Sequence, residues 1–208
     1  MTESLHLPLI LLAAFMATAS PGPATLAIAG TSLSSGRRAG LSVALGVATG
    51  SLSWSLAAAF GLAALMAASV TLFEILRYAG AAYLGFLAYK AARAAMKKGE
   101  LDSRALAAAS TRRLYIKGLM LHLTNPKAIF FFAALYSVGV PAQAGAATLA
   151  EVIIAVGLQS TAVFVTYAML FSLSGVARIY RRLNRIFEAC FAAVFGLAAI
   201  KVLTTRIG

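Results

Sequence analysis

A double proline break interrupts the first long apolar run of the sequence, at Ala19-Ser20-Pro21-Gly22-Pro23-Ala24. Each proline removes a backbone donor and clashes with the preceding helical turn. As one helix, residues 5–34 would extend roughly 45 Å, against a hydrocarbon core of about 30 Å. Freed backbone groups at membrane depth are tolerated only beside protein or a watery cavity. We therefore expect Pro21, Gly22 and Pro23 to form one wall of a substrate-binding site.

The composition is that of a polytopic membrane protein. Hydrophobic residues make up 61% of the 208 positions and charged residues 12%, whereas soluble domains carry about 25% charged residues. The apolar runs lack the two-residue alternation of barrel strands, which predicts an all-α protein. Six transmembrane spans are predicted, the first of them broken: 5–34, 40–66, 70–95, 116–138, 147–175 and 186–204.

The basic residues predict how these spans are oriented. Thirteen of the 18 lysines and arginines lie in the connections after spans one, three and five. The connections near 67–69 and 139–146 carry none. By the positive-inside rule, the odd-numbered connections are cytoplasmic and both termini lie outside. The basic residues thus fit a membrane topology better than nucleic-acid binding, and no nucleic-acid partner is expected.

The chain also divides into two similar halves, 1–97 and 113–208, joined by a polar cytoplasmic linker at 98–112, all within one transmembrane domain. Gly85 and Lys90 in span three match Gly196 and Lys201 in span six, and the first span of each half contains a proline break. Because each half has three spans, the second is inserted upside down. Paired interrupted helices in an inverted repeat indicate a transporter's binding site. Chance similarity between Ala- and Gly-rich helices is the alternative.

The second break is Asn125-Pro126-Lys127, in span four. Its proline frees the carbonyl near 122, which Asn125 or a bound solute can use. A lysine at membrane depth marks a functional site by default. We therefore predict that Asn125, Pro126 and Lys127 bind substrate, and that Lys127 is a candidate for proton coupling. Alternatively, Lys127 snorkels to the interface or caps a half-helix.

Two further residues are candidates for the site. His122 lies one turn before Asn125, and its side chain titrates near neutral pH, so it is a second candidate for proton coupling. A histidine satisfied in the core is the simpler reading. Gln159 begins a polar stripe on span five that either faces a solute or makes interhelical hydrogen bonds.

Other features have simpler explanations. Glu188 is expected at an interface, and Gly46-x-x-x-Gly50 is expected to serve helix packing.

Several other functions find no support in the residues. No nucleophile–base set and no phosphate-binding glycine loop is present, so no enzyme activity and no cofactor are expected. Two histidines without nearby acids argue against a metal site. A signal peptide ending near Ala19 is disfavoured because residues 1–4 carry no basic residue. The first span is therefore expected to remain in the mature chain.

Taken together, the motifs resemble the LysE/RhtB-type amino-acid exporters of the lysine exporter superfamily. The resemblance runs from about residue 8 to 137 and rests on Ser20-Pro21-Gly22-Pro23, Gly36-Arg37-Arg38-Ala39-Gly40, Gly46-x-x-x-Gly50, Gly61-Leu62, Gly80-Ala81-Ala82-Tyr83-Leu84 and Asn125-Pro126-Lys127-Ala128. It implies export of amino acids or their derivatives across a bacterial inner membrane by proton antiport. Ala24 departs from the asparagine that often follows Pro-Gly-Pro, and Leu135-Tyr136-Ser137-Val138 departs from Leu-Pro-Gln-Phe.

The expected substrate is a small zwitterion. Its carboxylate would face the half-helix N-termini and Lys127, and its amine would meet carbonyls freed by the breaks, with Asn125 orienting it. Because no acid is expected near midspan, neutral amino acids such as threonine, homoserine and leucine are favoured over lysine. The expected partners are the amino acid, protons and the lipid bilayer, and the small-residue helix faces allow a homodimer. A non-transporting membrane scaffold, or a subunit of a larger complex, is the alternative.

Overall fold

A computed structural model describes residues 7–68, 70–96, 106, 109–141, 144–173 and 175–204, with the backbone alone at 62–68, 70, 72–74, 76–77, 177–178, 180–185, 187, 198 and 201–202. These ranges contain helices and no strand, which confirms the all-α prediction. The helices are α1 Leu7–Ala19, α2 Pro23–Ala68, α3 Val70–Met96, α4 Thr111–Leu123, α5 Pro126–Gly139, α6 Ala146–Leu170 and α7 Val176–Thr204.

Both predicted proline breaks are present. The first separates α1 from α2 at residues 20–22, and the second separates α4 from α5 at Thr124 and Asn125, with a bend of 58° between those helices. Pro23 and Pro126 are each the first residue of the following helix. A proline is tolerated there because the first turn of a helix needs no N–H from that residue.

Helix α2 folds back on itself at Gly36. This residue has φ 81° and ψ 174°, a left-handed backbone conformation that favours glycine. A Cβ added at Gly40 would lie 1.9 Å from the Oγ of Ser32, whereas residues eight apart in a straight helix are separated by about 12 Å. Segments 23–35 and 37–68 are therefore two helices, which meet where the first and second spans were predicted to part.

Within the described residues, the stretches long and apolar enough to cross a membrane are Ala146–Leu170 and Pro23–Gly61, the second of which contains the fold-back at Gly36. The bent pair α4–α5 forms a third if it is one span. Large apolar side chains face outward along the helices. Phe60 and Leu158 are each 69% exposed, and Leu197 is 67% exposed. In water such a surface would favour aggregation, whereas in a bilayer it faces lipid. The chain is therefore a polytopic membrane protein.

Three of the predicted span bounds are corrected. The fourth was predicted from 116 and the sixth from 186, but α4 begins at Thr111 and α7 at Val176. Basic residues in both stretches are typical of loops, yet arginine is a good helix former and the helices extend beyond their apolar part. The fifth span was predicted to 175, but α6 ends at Leu170. Most of the predicted linker 98–112 lies outside the described residues.

Glycines set the packing of α2 on α4. A Cβ at Gly46 would lie 2.1 Å from the carbonyl oxygen of Tyr115, and one at Gly118 would lie 2.5 Å from that of Val43. Only glycine permits this approach of two backbones. The expectation that Gly46 serves packing is confirmed.

Two apolar clusters flank the helix breaks. One is built mainly from α1, α3, α5, α6 and α7, and the other from α2, α4 and α6.

At one end of the bundle, Arg37 Nε donates to Ser172 Oγ at 3.4 Å, and the N–H of Leu106 donates to Thr31 Oγ1 at 3.1 Å. These contacts bring together the turn at 36–38, the linker and the end of α6, the three connections that carry most of the basic residues.

Candidate functional site

The two helix breaks meet through Lys127. Its Nζ donates to the carbonyl oxygen of Ser20 across 3.4 Å. Gly22 leaves room for this side chain, because a Cβ at that position would lie 3.5 Å from Nζ and 3.6 Å from Cδ of Lys127. The lysine thus binds the carbonyl end of α1 while it sits in the first turn of α5. This geometry matches the half-helix cap that the sequence left open as an alternative.

Short-range hydrogen bonds hold each break in shape. Asn125 is the N-cap of α5, and its Oδ1 accepts from the backbone N–H of Lys127 at 3.0 Å. At the first break, the N–H of Gly22 donates to Thr25 Oγ1 at 2.9 Å, and this hydroxyl lies 3.1 Å from the Gly22 carbonyl oxygen. The side chains of Thr25 and Asn125 are buried. Lys127 therefore projects from a fixed backbone.

Protein groups donate hydrogen bonds to several of the carbonyl oxygens at the breaks. The carbonyl of Ala19 accepts from the hydroxyl of Tyr167 at 2.6 Å. The carbonyl of His122, which was expected to serve Asn125 or a solute, accepts from the backbone N–H of Asn125 at 3.1 Å. Tyr167 belongs to the polar stripe of the fifth span, so one member of that stripe makes an interhelical hydrogen bond.

A cavity of about 450 Å³ lies on one side of the breaks, between α3 and α7. Ligand pockets commonly have volumes of about 300–1,000 Å³. The cavity is lined by all six of the predicted substrate-binding residues at the breaks, namely Pro21, Gly22, Pro23, Asn125, Pro126 and Lys127. Other polar residues that line it are Ser20, Tyr83, Lys90 and Glu188.

A second, smaller cavity of about 40 Å³ lies on the other side and is lined by His122, Ser51 and Thr25. Four residues line both cavities and so separate them: Ser20, Gly22, Asn125 and Lys127. The Lys127–Ser20 hydrogen bond is part of this partition. A rearrangement of one side chain would therefore change the barrier between the cavities.

His122 is buried without hydrogen-bond partners on its ring. Its side chain is 6% exposed, and within the described part of the chain neither Nδ1 nor Nε2 has a partner. The ring packs edge-on against Phe164 with centroids 5.9 Å apart, and it lines the smaller cavity. A buried polar group left unpaired costs about 1–3 kcal/mol. The satisfied core histidine considered from the sequence does not describe this geometry.

Gln159 is the one predicted site residue that lines neither cavity. Its Oε1 is buried and finds no partner among the described residues. The structure thus groups seven of the eight predicted residues around the two breaks and leaves Gln159 apart.

Glu188, which was expected near a span end and at an interface, is buried among protein groups. Its side chain is 6% exposed and lines the larger cavity with Lys90 and Lys127. The helix α7 begins before the predicted span, so Glu188 lies well inside it rather than near its start. One signal was available in the sequence, since an acid among apolar residues of a spanning helix is a functional hypothesis by default. Ser20, Thr25, Tyr83 and Lys90 were also not predicted as site residues.

The match to a protein family covers almost the whole chain. The family model described as "LysE type translocator" matches residues 15–206. This chain belongs to the LysE type translocator family. The resemblance inferred from the proline and glycine motifs is confirmed, and the family match continues through the second half, where the motifs thin out.

Named relatives of this LysE-family chain are efflux proteins. The threonine efflux protein of Salmonella typhi is 30% identical over 193 residues, which are 92% of this chain and 94% of the relative. The threonine efflux protein of Escherichia coli K12 is 28% identical over 193 residues, which are again 92% of this chain and 94% of the relative. The homoserine/homoserine lactone efflux protein of Salmonella typhimurium LT2 is 37% identical over 127 residues, 61% of this chain and 60% of the relative. No solved structure matches the chain. These names describe transporters rather than enzymes.

Proposed function

We propose that this LysE-family translocator is a secondary active exporter of amino acids or their derivatives, driven by proton antiport. The observation that carries the proposal is the Lys127–Ser20 hydrogen bond, which joins both helix breaks between two cavities. A lysine in that position can bind a carboxylate on either side of the partition. The efflux activities named for the relatives support export as the direction.

Lys127 is proposed to exchange its carbonyl partner for the substrate carboxylate. At 3.4 Å the bond to Ser20 is long for a hydrogen bond and therefore weak. A carboxylate offers the ammonium a charge-assisted bond, which is shorter and about twice as strong as a neutral one. The N-terminus of α5, where Lys127 lies, also favours an anion. Substrate binding would thus release α1 from α5 and open the partition.

Proton coupling is assigned to Lys127 and His122. Lys127 holds a carboxylate only while it is protonated, so transfer of its proton to His122 would release the substrate. His122 lines the smaller cavity beside Lys127 with both ring nitrogens unpaired within the described chain. A neutral imidazole at that position can exchange a proton with the Lys127 side chain.

The membrane arrangement that fits this mechanism is the inverted repeat. Halves 1–97 and 113–208 would each contribute three spans, with the fold-back at Gly36 separating the first two. Both termini would lie outside the bacterial inner membrane, and the basic end that contains Arg37 and Ser172 would be cytoplasmic. A homodimer is compatible with this arrangement.

Small neutral amino acids are the proposed substrates, ahead of lysine. The lack of an acid near midspan, expected from the sequence, does not support this preference, because Glu188 lines the cavity. The preference rests instead on relatives named for threonine and homoserine. Two lysines and one glutamate line the cavity, and this balance disfavours a substrate with an additional positive charge.

Proteoliposomes test the proposal directly. They are loaded with labelled threonine, homoserine, leucine and lysine, and then diluted into a more acidic buffer. The proposal expects efflux of one or more neutral amino acids that is faster with the pH gradient than without it. Leakage equal to that of protein-free liposomes for every compound would contradict export and favour the non-transporting scaffold.

A further inference from the structure

A transported amino acid brings an ammonium group into the cavity as well as a carboxylate. The carbonyls at the breaks were expected to receive this ammonium, but those of Ala19 and His122 already accept from Tyr167 and Asn125, respectively. The Ser20 carbonyl, which Lys127 would release, is a neutral acceptor and brings no compensating charge. An uncompensated charge in a low-dielectric site costs several kcal/mol, about what unpaired buried ions cost elsewhere. The ammonium therefore needs an acceptor from another part of the cavity wall.

Glu188 has the chemistry and the position for this role. It lies on α7, its side chain is 6% exposed, and it lines the same cavity as Lys127. The other acidic side chain that the structure describes, Glu151 on α6, is exposed. Lys127 and Lys90 line the same cavity as Glu188. Among the described residues, the cavity thus presents one anionic and two cationic groups to a solute.

We propose that Glu188 binds the ammonium group of the transported amino acid while Lys127 binds its carboxylate. This inference rests on the proposed export function and adds a residue that selects for a free amine. A zwitterion between the two side chains replaces their long-range attraction by two charge-assisted contacts, and no charge is left unpaired. Lys90 on α3 also lines the cavity, but its side chain is exposed, so its charge needs no partner inside the site.

Selectivity for the free amine distinguishes this role from a structural one. An N-acetylated amino acid keeps the carboxylate that Lys127 would bind but has no ammonium for Glu188. Its amide would leave the carboxylate of Glu188 without a cationic partner, and buried polar sites reject analogues that leave them unpaired. A glutamate that only balanced the two lysines would give no reason for this rejection.

The test measures export of labelled threonine from proteoliposomes, with N-acetylthreonine as the competitor. Glu188→Gln is compared with Glu151→Gln, which removes the same charge at an exposed position on α6. The proposal expects Glu188→Gln to raise the apparent KM for threonine about 10- to 100-fold, as for a lost charged hydrogen bond. It also expects the preference for threonine over N-acetylthreonine to fall by a similar factor, and Glu151→Gln to resemble wild type.

Two outcomes would overturn the inference. One is a Glu188→Gln protein with wild-type KM and wild-type rejection of N-acetylthreonine. The other is a protein that keeps its KM in gradient-free exchange and loses only the response to the pH gradient, which would make Glu188 a proton carrier. Should Glu188→Gln fail to insert, Glu188→Asp keeps the charge and must still reject N-acetylthreonine. Failure of the wild-type protein to export any of the four amino acids would instead refute the proposed function itself.

Discussion

Lys127 and Ser20 lie 107 residues apart in the chain, yet the ammonium of one donates to the backbone carbonyl of the other at 3.4 Å. This bond connects the carbonyl end of α1 to the first turn of α5, at the wall between two cavities. A single side chain thus links the two helix breaks directly. The proposed transport cycle depends on its release.

Gly22 provides the space beside Lys127, and larger residues should fill it. A Cβ there would meet Nζ at 3.5 Å, an ordinary contact, so Gly22→Ala should export nearly as well as wild type. Gly22→Val adds two methyl groups against the lysine and should lower export about tenfold, because overpacking costs about 1–3 kcal/mol. Gly61→Val is the control, since nothing lies within 4 Å of that position. Equal export by Gly22→Val and Gly61→Val would contradict the assignment.

Asn125 should act mainly through its cap on α5. Asn125→Ala removes the acceptor for the N–H of Lys127 and should lower the free energy of unfolding by about 1 kcal/mol. Asn125→Asp keeps an acceptor oxygen and should restore most of that loss. Thermal unfolding in detergent measures both variants. A larger loss for Asn125→Asp than for Asn125→Ala would show that the amide group, rather than the cap, is what the site requires.

His122 should be separable from substrate binding. His122→Phe removes two ring nitrogens that are unpaired within the described chain, so the protein should be no less stable than wild type. If His122 carries the coupled proton, this variant should exchange labelled threonine across the membrane without a gradient but respond little to a pH gradient. Paired exchange and gradient-driven assays on the same vesicles measure this. An undiminished gradient response would leave Lys127 as the coupling residue.

Gly46 should be intolerant of any side chain. A Cβ at this position would lie 2.1 Å from the carbonyl oxygen of Tyr115, a backbone atom that cannot move aside without shifting α4. Gly46→Ala should therefore lower the free energy of unfolding by about 1–3 kcal/mol. Fluorescence-detected size exclusion after heating measures the fraction that remains folded. Gly61→Ala, at an open position, should match wild type, and equal melting of the two variants would contradict the packing of α2 on α4.

Local chemistry explains why both breaks were predictable from sequence. Pro23 and Pro126 cannot continue a helix, and Asn125 is a preferred N-cap residue, so their positions follow from backbone sterics and hydrogen bonding alone. The grouping of Pro21, Gly22, Asn125 and Lys127 was expected because paired interrupted helices in an inverted repeat indicate a transporter's binding site. These parts of the site needed no knowledge of how the helices rotate.

The role of Glu188 could not be read in the same way. Whether a side chain on α7 faces lipid or a cavity depends on the rotation of that helix against α3, which tertiary packing decides. The start of α7 at Val176 was missed because arginines among apolar residues were taken for a loop. Gln159 stays a prediction for a related reason, since its polarity marked it as a site residue but its position on α6 lines neither cavity.

Efflux of labelled amino acids through Lys127→Ala tests the central claim most directly. Wild type, Lys127→Ala and Lys117→Ala are reconstituted at equal density, the last as a control because Lys117 is an exposed lysine on α4. We expect gradient-driven efflux from wild type and Lys117→Ala, and a loss of at least about tenfold from Lys127→Ala, as for one charged hydrogen bond. Wild-type efflux from Lys127→Ala would contradict the role of the Lys127–Ser20 contact in transport.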